Sequence, residues 1–403
     1  MFCRIRTVLR LAVASAAALV VAGCVSRPVN QFPLDPFSAM VVSEPRNLMA
    51  HCPSTEITPD GTVYIAYYRD TTQPIESMRN TTIEVVMDRF SLKNPDKVER
   101  FSMMSSGQSV GDYKQEAIPP YDPRIFVDGE ELICDFLGYV DVSPTVCRRV
   151  FDLRTGTFRD KIEPCSISYI VGGERKTVPV SQRGLTELYV DMGFGTPSKS
   201  FFWPVMSQRF VPGEDGFRYT VLTCWWCPES RPVVVRTNDG LNYDVAFVCP
   251  EFIHGSAEAS IVFHDDACFI LSRSTFLSDN PAAGTYMGKY SLTGDCLVKP
   301  YKLGDVESRM DLAVHEGKVF AFCNAAPNLP DQTGIWDRRR LRISEIDSSA
   351  RTVRSWDVVS PYSIQYYCAN DHGGKLYFTF VEDRFGRNPE QSRADIAFRE
   401  LNL

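Results

Sequence analysis

The amino-acid sequence predicts an all-β chain, a six-bladed β-propeller, from the way its strands are punctuated and from their recurrence. Short β-branched and aromatic runs follow tight turns: Val63–Tyr68 after Asp60-Gly61, Glu131–Phe136 after Asp128-Gly129, Lys318–Phe322 after Glu316-Gly317, and Lys375–Phe380 after Gly373-Gly374. Such runs bounded by Asp-Gly or Gly-Gly signal hairpins. The unit recurs near 53–68, 122–137, 258–272, 310–322 and 363–380, with a further copy around 201–224. The last three copies begin roughly 53 residues apart, a period suited to several strands per blade. No amphipathic helix of useful length is expected past the N-terminal segment. A single large sandwich is the alternative architecture, because the copies diverge.

Residues 1–23 read as a secretory signal: Arg4, Arg6 and Arg10, an apolar run from Leu11 to Val21, then Ala22-Gly23 before Cys24. The run is short for a membrane span, which needs about 20 residues. Val21-Ala22-Gly23-Cys24 resembles a bacterial lipobox. That resemblance implies cleavage before Cys24 and acylation of its sulfur and new amino group, several chains making a stable anchor. Val25 after Cys24 implies sorting to the outer membrane in a Gram-negative cell. Residues 24–45 then form the lipidated cysteine and a tether, and 46–403 the propeller domain.

The full chain carries a net charge of −7; losing Arg4, Arg6 and Arg10 with the signal takes it to −10. An acidic chain without a long basic run is a poor partner for nucleic acid or anionic lipid. The expected partners are a glycan and, through the lipid anchor, a membrane, with the propeller itself a monomer. Eleven cysteines remain after Cys3 and Cys24, an odd number without framework spacing, and most are expected to pack as small buried hydrophobes. In Cys224-Trp225-Trp226-Cys227, regular strand alternation would put the two sulfurs on opposite faces. His51, His254 and His315 lack metal-ligand spacing, so neither metal nor cofactor is expected.

Four segments together resemble the sialidase superfamily of six-bladed propellers. In the first, Glu258-Ala-Ser-Ile-Val-Phe runs to Phe269-Ile-Leu-Ser-Arg273. The resemblance makes Glu258 the base that polarises the nucleophile and Arg273 a carboxylate-binding residue, a task suited to a planar guanidinium fork. In the second, Asn324-Ala-Ala-Pro327 precedes Arg338-Arg339-Arg340-Leu341-Arg342, and Arg339, with Arg338 next, matches another carboxylate-binding arginine. In the third, Pro361-Tyr362-Ser363-Ile364 leads to Gly373-Gly374 and Val381-Glu382. Here Tyr362 matches the nucleophile; tyrosine nucleophiles are an exception among glycosidases, activated by a neighbouring base. The fourth, Arg236–Tyr243, is similar to an Asp-box turn in which Arg236 and Asn238 replace Ser and Asp, and it marks fold rather than catalysis.

The departures are specific. Where the family opens its first blade with Arg-Ile-Pro, this chain has His51-Cys52-Pro53. Arg69 matches the arginine after the second strand. The acid should follow it, and the interval offers Glu76, with Asp70 at its edge. Tyr121-Asp122-Pro123-Arg124 resembles instead a segment of five-bladed propeller glycosidases, which work with paired carboxylates; Asp122 and Glu258 would be that pair. The expected function is thus a surface-anchored sialidase-like glycoside hydrolase acting on terminal glycan residues. The alternatives are a non-catalytic glycan-binding or envelope-assembly propeller and a paired-carboxylate glycosidase using Asp122.

Overall fold

Strands dominate the computed structural model, which describes residues 30–31, 49–70, 72, 82–115, 120–198, 202–207, 209–225, 227–252, 255–274, 284–304, 308–325, 338–360, 363–383 and 394–401. Six main sheets follow one another along the chain. Blade 1 runs Met49–Ile57, Thr62–Asp70, Glu84–Ser91 and Asn94–Ser105, each antiparallel to the last. Blade 2 is Tyr121–Asp128, Glu131–Val140, Ser143–Asp152 and Thr157–Pro164, and blade 4 is Ser256–His264, Ala267–Ser274, Gly284–Ser291 and Cys296–Gly304. Blade 5 spans Asp311–His315, Lys318–Asn324, Arg340–Ile346 and Thr352–Val359, and blade 6 Ser363–His372, Lys375–Asp383 and Ala394–Leu401. Each predicted strand–turn–strand unit is the inner hairpin of one blade.

Blade 3 explains the wider spacing of the early repeats. Its core is Trp203–Met206, Arg218–Trp225, Val233–Thr237 and Asn242–Val248. A hairpin from earlier in the chain, Ser166–Val171 with Glu174–Pro179, adds to its outer edge, parallel to Asn242–Val248. A helix, Gln182–Asp191, follows that hairpin and contradicts the expectation of no helix. Ser181 caps it by accepting from the Gly184 amide, and Leu185, Leu188 and Tyr189 are buried. Gly184 is required: a Cβ there would meet the Pro179 carbonyl oxygen at 2.0 Å. Ten residues are too few for the helical period to stand out between strand-forming stretches.

Within the segment read as a tether, Asn30–Gln31 runs parallel to the outer strand of blade 5, opposite Trp356 and Asp357. Cys24, Glu76 and Tyr362 lie outside the described residues. The Asp-box match is shifted by one: Thr237 and Asp239 do the work assigned to Arg236 and Asn238. The Thr237 hydroxyl accepts from the Gly240 amide at 2.9 Å, and Asp239 accepts from the Leu241 and Asn242 amides at 2.8 Å each.

The ring is closed by polar ties between inner hairpins. Ser54 accepts from the Ile125 amide at 3.1 Å, joining blades 1 and 2. Arg124, fully buried, donates to the Ser207 and Met206 carbonyls at 2.9 and 3.1 Å, joining blades 2 and 3. Thr223 donates to the Ala257 carbonyl, joining blades 3 and 4. Ser260 accepts from the Leu312 amide, and Asp311 accepts from the Ala369 amide at 2.8 Å. Thr55 donates to Thr379 at 2.7 Å and brings blade 6 back to blade 1. Apolar clusters fill the wedges between blades, so the buried Ser, Thr, Asp and Arg concentrate on the axis, where inner-strand groups must be satisfied.

Candidate active site

Inner strands that alternate regularly could not turn adjacent side chains into the same channel. Three of them break the rule with a bulge near their first residues. The register slips between His51 and Ser54, between Tyr121 and Arg124, and between Gln365 and Cys368. At each slip one residue takes a left-handed backbone: Cys52 (φ 53°), Asp122 (φ 45°) and Tyr366 (φ 55°). Bulges re-aim side chains, and a non-glycine residue held at positive φ points to functional constraint. Blade 4 slips too, just before Glu258.

A charge cluster sits at this mouth. Glu258 and Arg273 are cross-strand partners, with Arg273 Nη1 2.7 Å from Glu258 Oε2. Arg309, immediately before the inner strand of blade 5, reaches across. Its Nη1 is 3.1 Å from Asp122 Oδ1 and 3.0 Å from Cys52 Sγ, its Nη2 donates to the Met206 carbonyl at 3.1 Å, and its Nε is 3.9 Å from Glu258 Oε1. Arg338 donates to Gln365 and lies over the Tyr366 ring, 5.6 Å from its centroid. Asn324 holds the backbone beneath, donating to the Arg338 and Ile364 carbonyls at 3.1 and 3.0 Å.

Three guanidinia, Arg273, Arg309 and Arg338, therefore face two carboxylates, Glu258 and Asp122. Burial acts to raise the Asp122 carboxyl, but Arg309 and then Arg124 outweigh it and hold the group below the usual carboxylate range. Burial, reinforced by Arg338 and opposed by Asp122, pushes His51 down to about 3, so this ring is neutral. The cluster keeps a net positive charge in a partly dry setting, a seat for an anion. Aromatic rings line it: His51 is 5.0 Å from Tyr366 and 5.7 Å from Tyr68, Tyr68 packs edge-on to Tyr121, and Tyr121 stacks on Trp203. Trp225 lies 4.7 Å beneath the Arg273 guanidinium.

Of the residues singled out from sequence, Glu258, Arg273, Asp122 and His51 meet here. Arg338, the neighbour of Arg339 among four arginines in five positions, reaches the Tyr366 ring. Tyr366, four residues past Tyr362 in the same segment, lies in the cluster, its ring 5.0 Å from His51. Arg69 pairs with Glu84 at 2.8 Å. Asp70 is fully buried and accepts from the Thr72 amide and the Thr72 and Thr82 hydroxyls, bonds that fix a loop rather than present an acid. Arg309 was missed, although an arginine leading into an inner strand occupies the same kind of place as His51, Asp122 and Glu258. Among the described residues no group of three or more His, Cys, Asp or Glu is placed to hold a metal ion.

Solved structures share this architecture. The phage phi92 endosialidase superposes with a TM-score of 0.61 at 11% identity, over 94% of this chain and 71% of its own. Trypanosoma rangeli sialidase gives 0.55 at 13%, over 87% of this chain and 54% of its own. The NanB sialidase of Streptococcus pneumoniae gives 0.54 at 10%, over 92% and 71%.

This chain has the sialidase-type propeller fold.

It spans about half the length of the Trypanosoma enzyme. No family model matches the sequence, and no curated protein matches it. At these identities the likeness concerns the fold alone.

Proposed function

We propose that the chain is a glycoside hydrolase of sialidase type that removes a terminal sugar bearing a carboxylate. The observation that carries this reading is Tyr366, held at positive φ under the Arg338 guanidinium beside the Glu258–Arg273–Arg309 cluster. The arginines Arg273, Arg309 and Arg338 bind the substrate carboxylate. Tyr366 attacks the anomeric carbon as Glu258 takes its proton, and a neutral phenol avoids setting a carboxylate against an anionic sugar. An acid protonates the leaving oxygen, and water then releases the sugar from the tyrosine. Glu76 is the acid we assign, since Asp70 is committed to Thr72 and Thr82 and Asp122 is ionised against Arg309. Trypanosoma rangeli sialidase has been captured with 2,3-difluorosialic acid as a covalent intermediate, which supports covalent chemistry on this fold. Cys24 would hold the enzyme at the membrane.

The test is hydrolysis of an aryl sialoside by membrane fractions, with peptide mapping after treatment with 2,3-difluorosialic acid. The expected label is on Tyr366, with turnover lost in Tyr366→Phe and kept in Tyr362→Phe. Glu76→Gln should slow poor leaving groups by about 10²–10⁴-fold, and Cys24→Ser should release activity to the soluble fraction. Failure to turn over or bind any sialoside would overturn the proposal.

His51, where the family carries an arginine, favours a second reading, a glycan-binding propeller without turnover. Binding of the sialoside without hydrolysis would establish it. The paired-carboxylate alternative would show activity lost in Asp122→Asn but retained in Tyr366→Phe. It is disfavoured by Arg309, which keeps Asp122 ionised and a poor proton donor.

A further inference from the structure

Asp135 is the middle of a row of charges that crosses blade 2. Register sets Arg124 on one side of it and Arg148 on the other, with Glu163 beyond Arg148, and cross-strand partners share a face of the sheet. Arg148 is engaged: its Nη2 donates to Glu163 at 2.7 Å and its Nη1 to the Asp239 carbonyl at 2.7 Å. Arg124 gives its Nε and Nη2 to the Ser207 and Met206 carbonyls, but among the described residues its Nη1 has no hydrogen-bond partner. Asp135 Oδ2 accepts from Tyr243, while among the same residues Oδ1 has no partner. The Thr220 hydroxyl, on the Arg218–Trp225 strand of blade 3, is a third such group. All three residues are fully buried. Strand alternation puts Arg124, Asp135 and Thr220 on the faces that carry Phe126, Ile133 and Leu222. Phe126 and Ile133 are themselves cross-strand partners, and all three apolar side chains belong to one cluster between blades 2 and 3.

We propose that Arg124, Asp135 and Thr220 hold one ordered water molecule between blades 2 and 3. Buried polar groups are costly to leave unpaired, and an interior water bonds about three such groups at once. This one accepts from Arg124 Nη1 and donates to Asp135 Oδ1 and Thr220 Oγ1. A neutral Asp135 carries its proton on Oδ1, since Oδ2 accepts from Tyr243; it then donates to the water, which still has an O–H for Thr220. The site therefore serves both protonation states. The water also completes a chain that reaches the mouth. Tyr243 donates to Asp135, the water joins Asp135 to Arg124, and Arg124 Nη2 shares the Met206 carbonyl with Arg309 Nη2, each at 3.1 Å. Arg309 in turn holds Asp122. The inference does not depend on which sugar the mouth binds.

The experiment is a crystal structure of the full chain at a resolution that shows ordered water, with Thr220→Val solved beside it. The expected result is one density peak about 2.7–3.2 Å from Arg124 Nη1, Asp135 Oδ1 and Thr220 Oγ1. It should be lost in Thr220→Val, whose side chain keeps the shape and gives up the hydroxyl. A direct Arg124–Asp135 ion pair, or side chains closed over the spot, would overturn the site. Oxygen-17 relaxation dispersion checks it in solution: the parent should hold one more long-lived water than Thr220→Val, and equal counts would overturn it. Thr220→Ser keeps the hydroxyl and should match the parent in both measurements. Loss of the water in that variant would overturn Thr220 as its partner.

Discussion

Replacing Arg309 by Met would remove a guanidinium that reaches both Asp122 and Glu258, and the cost can be argued from burial. The arginine is 2% exposed, and Asp122, Cys52 and Glu258 outweigh burial to keep it firmly charged. Breaking a buried pair from one side leaves an uncompensated charge, typically costing about 3–5 kcal/mol. Asp122 keeps some exposure, so the lower end is expected for Arg309→Met, measured by urea unfolding. The double variant Arg309→Met/Asp122→Asn should recover part of the loss. If Arg309→Met is as stable as the parent, the pair is not what holds the mouth. The residue scale also shows why Glu258 and Arg273 were legible while Tyr366 was not. The first two face each other within a single hairpin, where sequence spacing is spatial spacing. Tyr366 reaches the mouth through a bulge, and an added residue in a strand leaves no periodic trace.

At the scale of elements, blade 3 departs most from a plain four-stranded sheet. The Ser166–Pro179 hairpin and the Gln182–Asp191 helix fill the long interval before its inner strand, and the helix lays Leu185, Leu188 and Tyr189 into the same apolar cluster as Cys224 and Cys227. Ser181 is the point where this insertion is most exposed to test. It is buried and supplies the first turn with its acceptor, so Ser181→Ala should cost about 1 kcal/mol. Thermal unfolding followed by circular dichroism measures it; an unchanged midpoint would mean the helix is set by packing alone. The turn at Thr237–Asn242 shows a different lesson. A sequence match offset by one still located the turn correctly, because the turn needs a hydroxyl and a carboxylate at set offsets before Gly240, and Thr237 and Asp239 provide both.

For the whole molecule, ring closure buries groups that no single blade would bury. Asp135 in blade 2 is fully buried and accepts from Tyr243 of blade 3, with Arg124 nearby. Burial dominates over both partners and pushes its carboxyl up to about 7. A carboxyl raised in the folded state binds a proton there that the unfolded chain has already lost. Its contribution is full below about pH 4, the unfolded range, and is lost as pH climbs through about 7. Asp135→Asn mimics the protonated form. Its stability relative to the parent should therefore rise between pH 5 and pH 8, as measured by urea midpoints at both values. A difference that does not change with pH would show that Asp135 is ionised throughout.

Hairpin placement, blade order and the Glu258–Arg273 pair were determined by the sequence alone, because Asp-Gly and Gly-Gly turns and cross-strand pairs act over few residues. The bulges at Cys52, Asp122 and Tyr366 and the arrival of Arg309 beside Cys52 were decided by tertiary structure. Each depends on where a strand stops or slips and on which blade closes against it, and those choices follow from burying six sheets around one polar axis. A local pattern records the period of a strand, but not the point at which the closed ring makes it worth breaking.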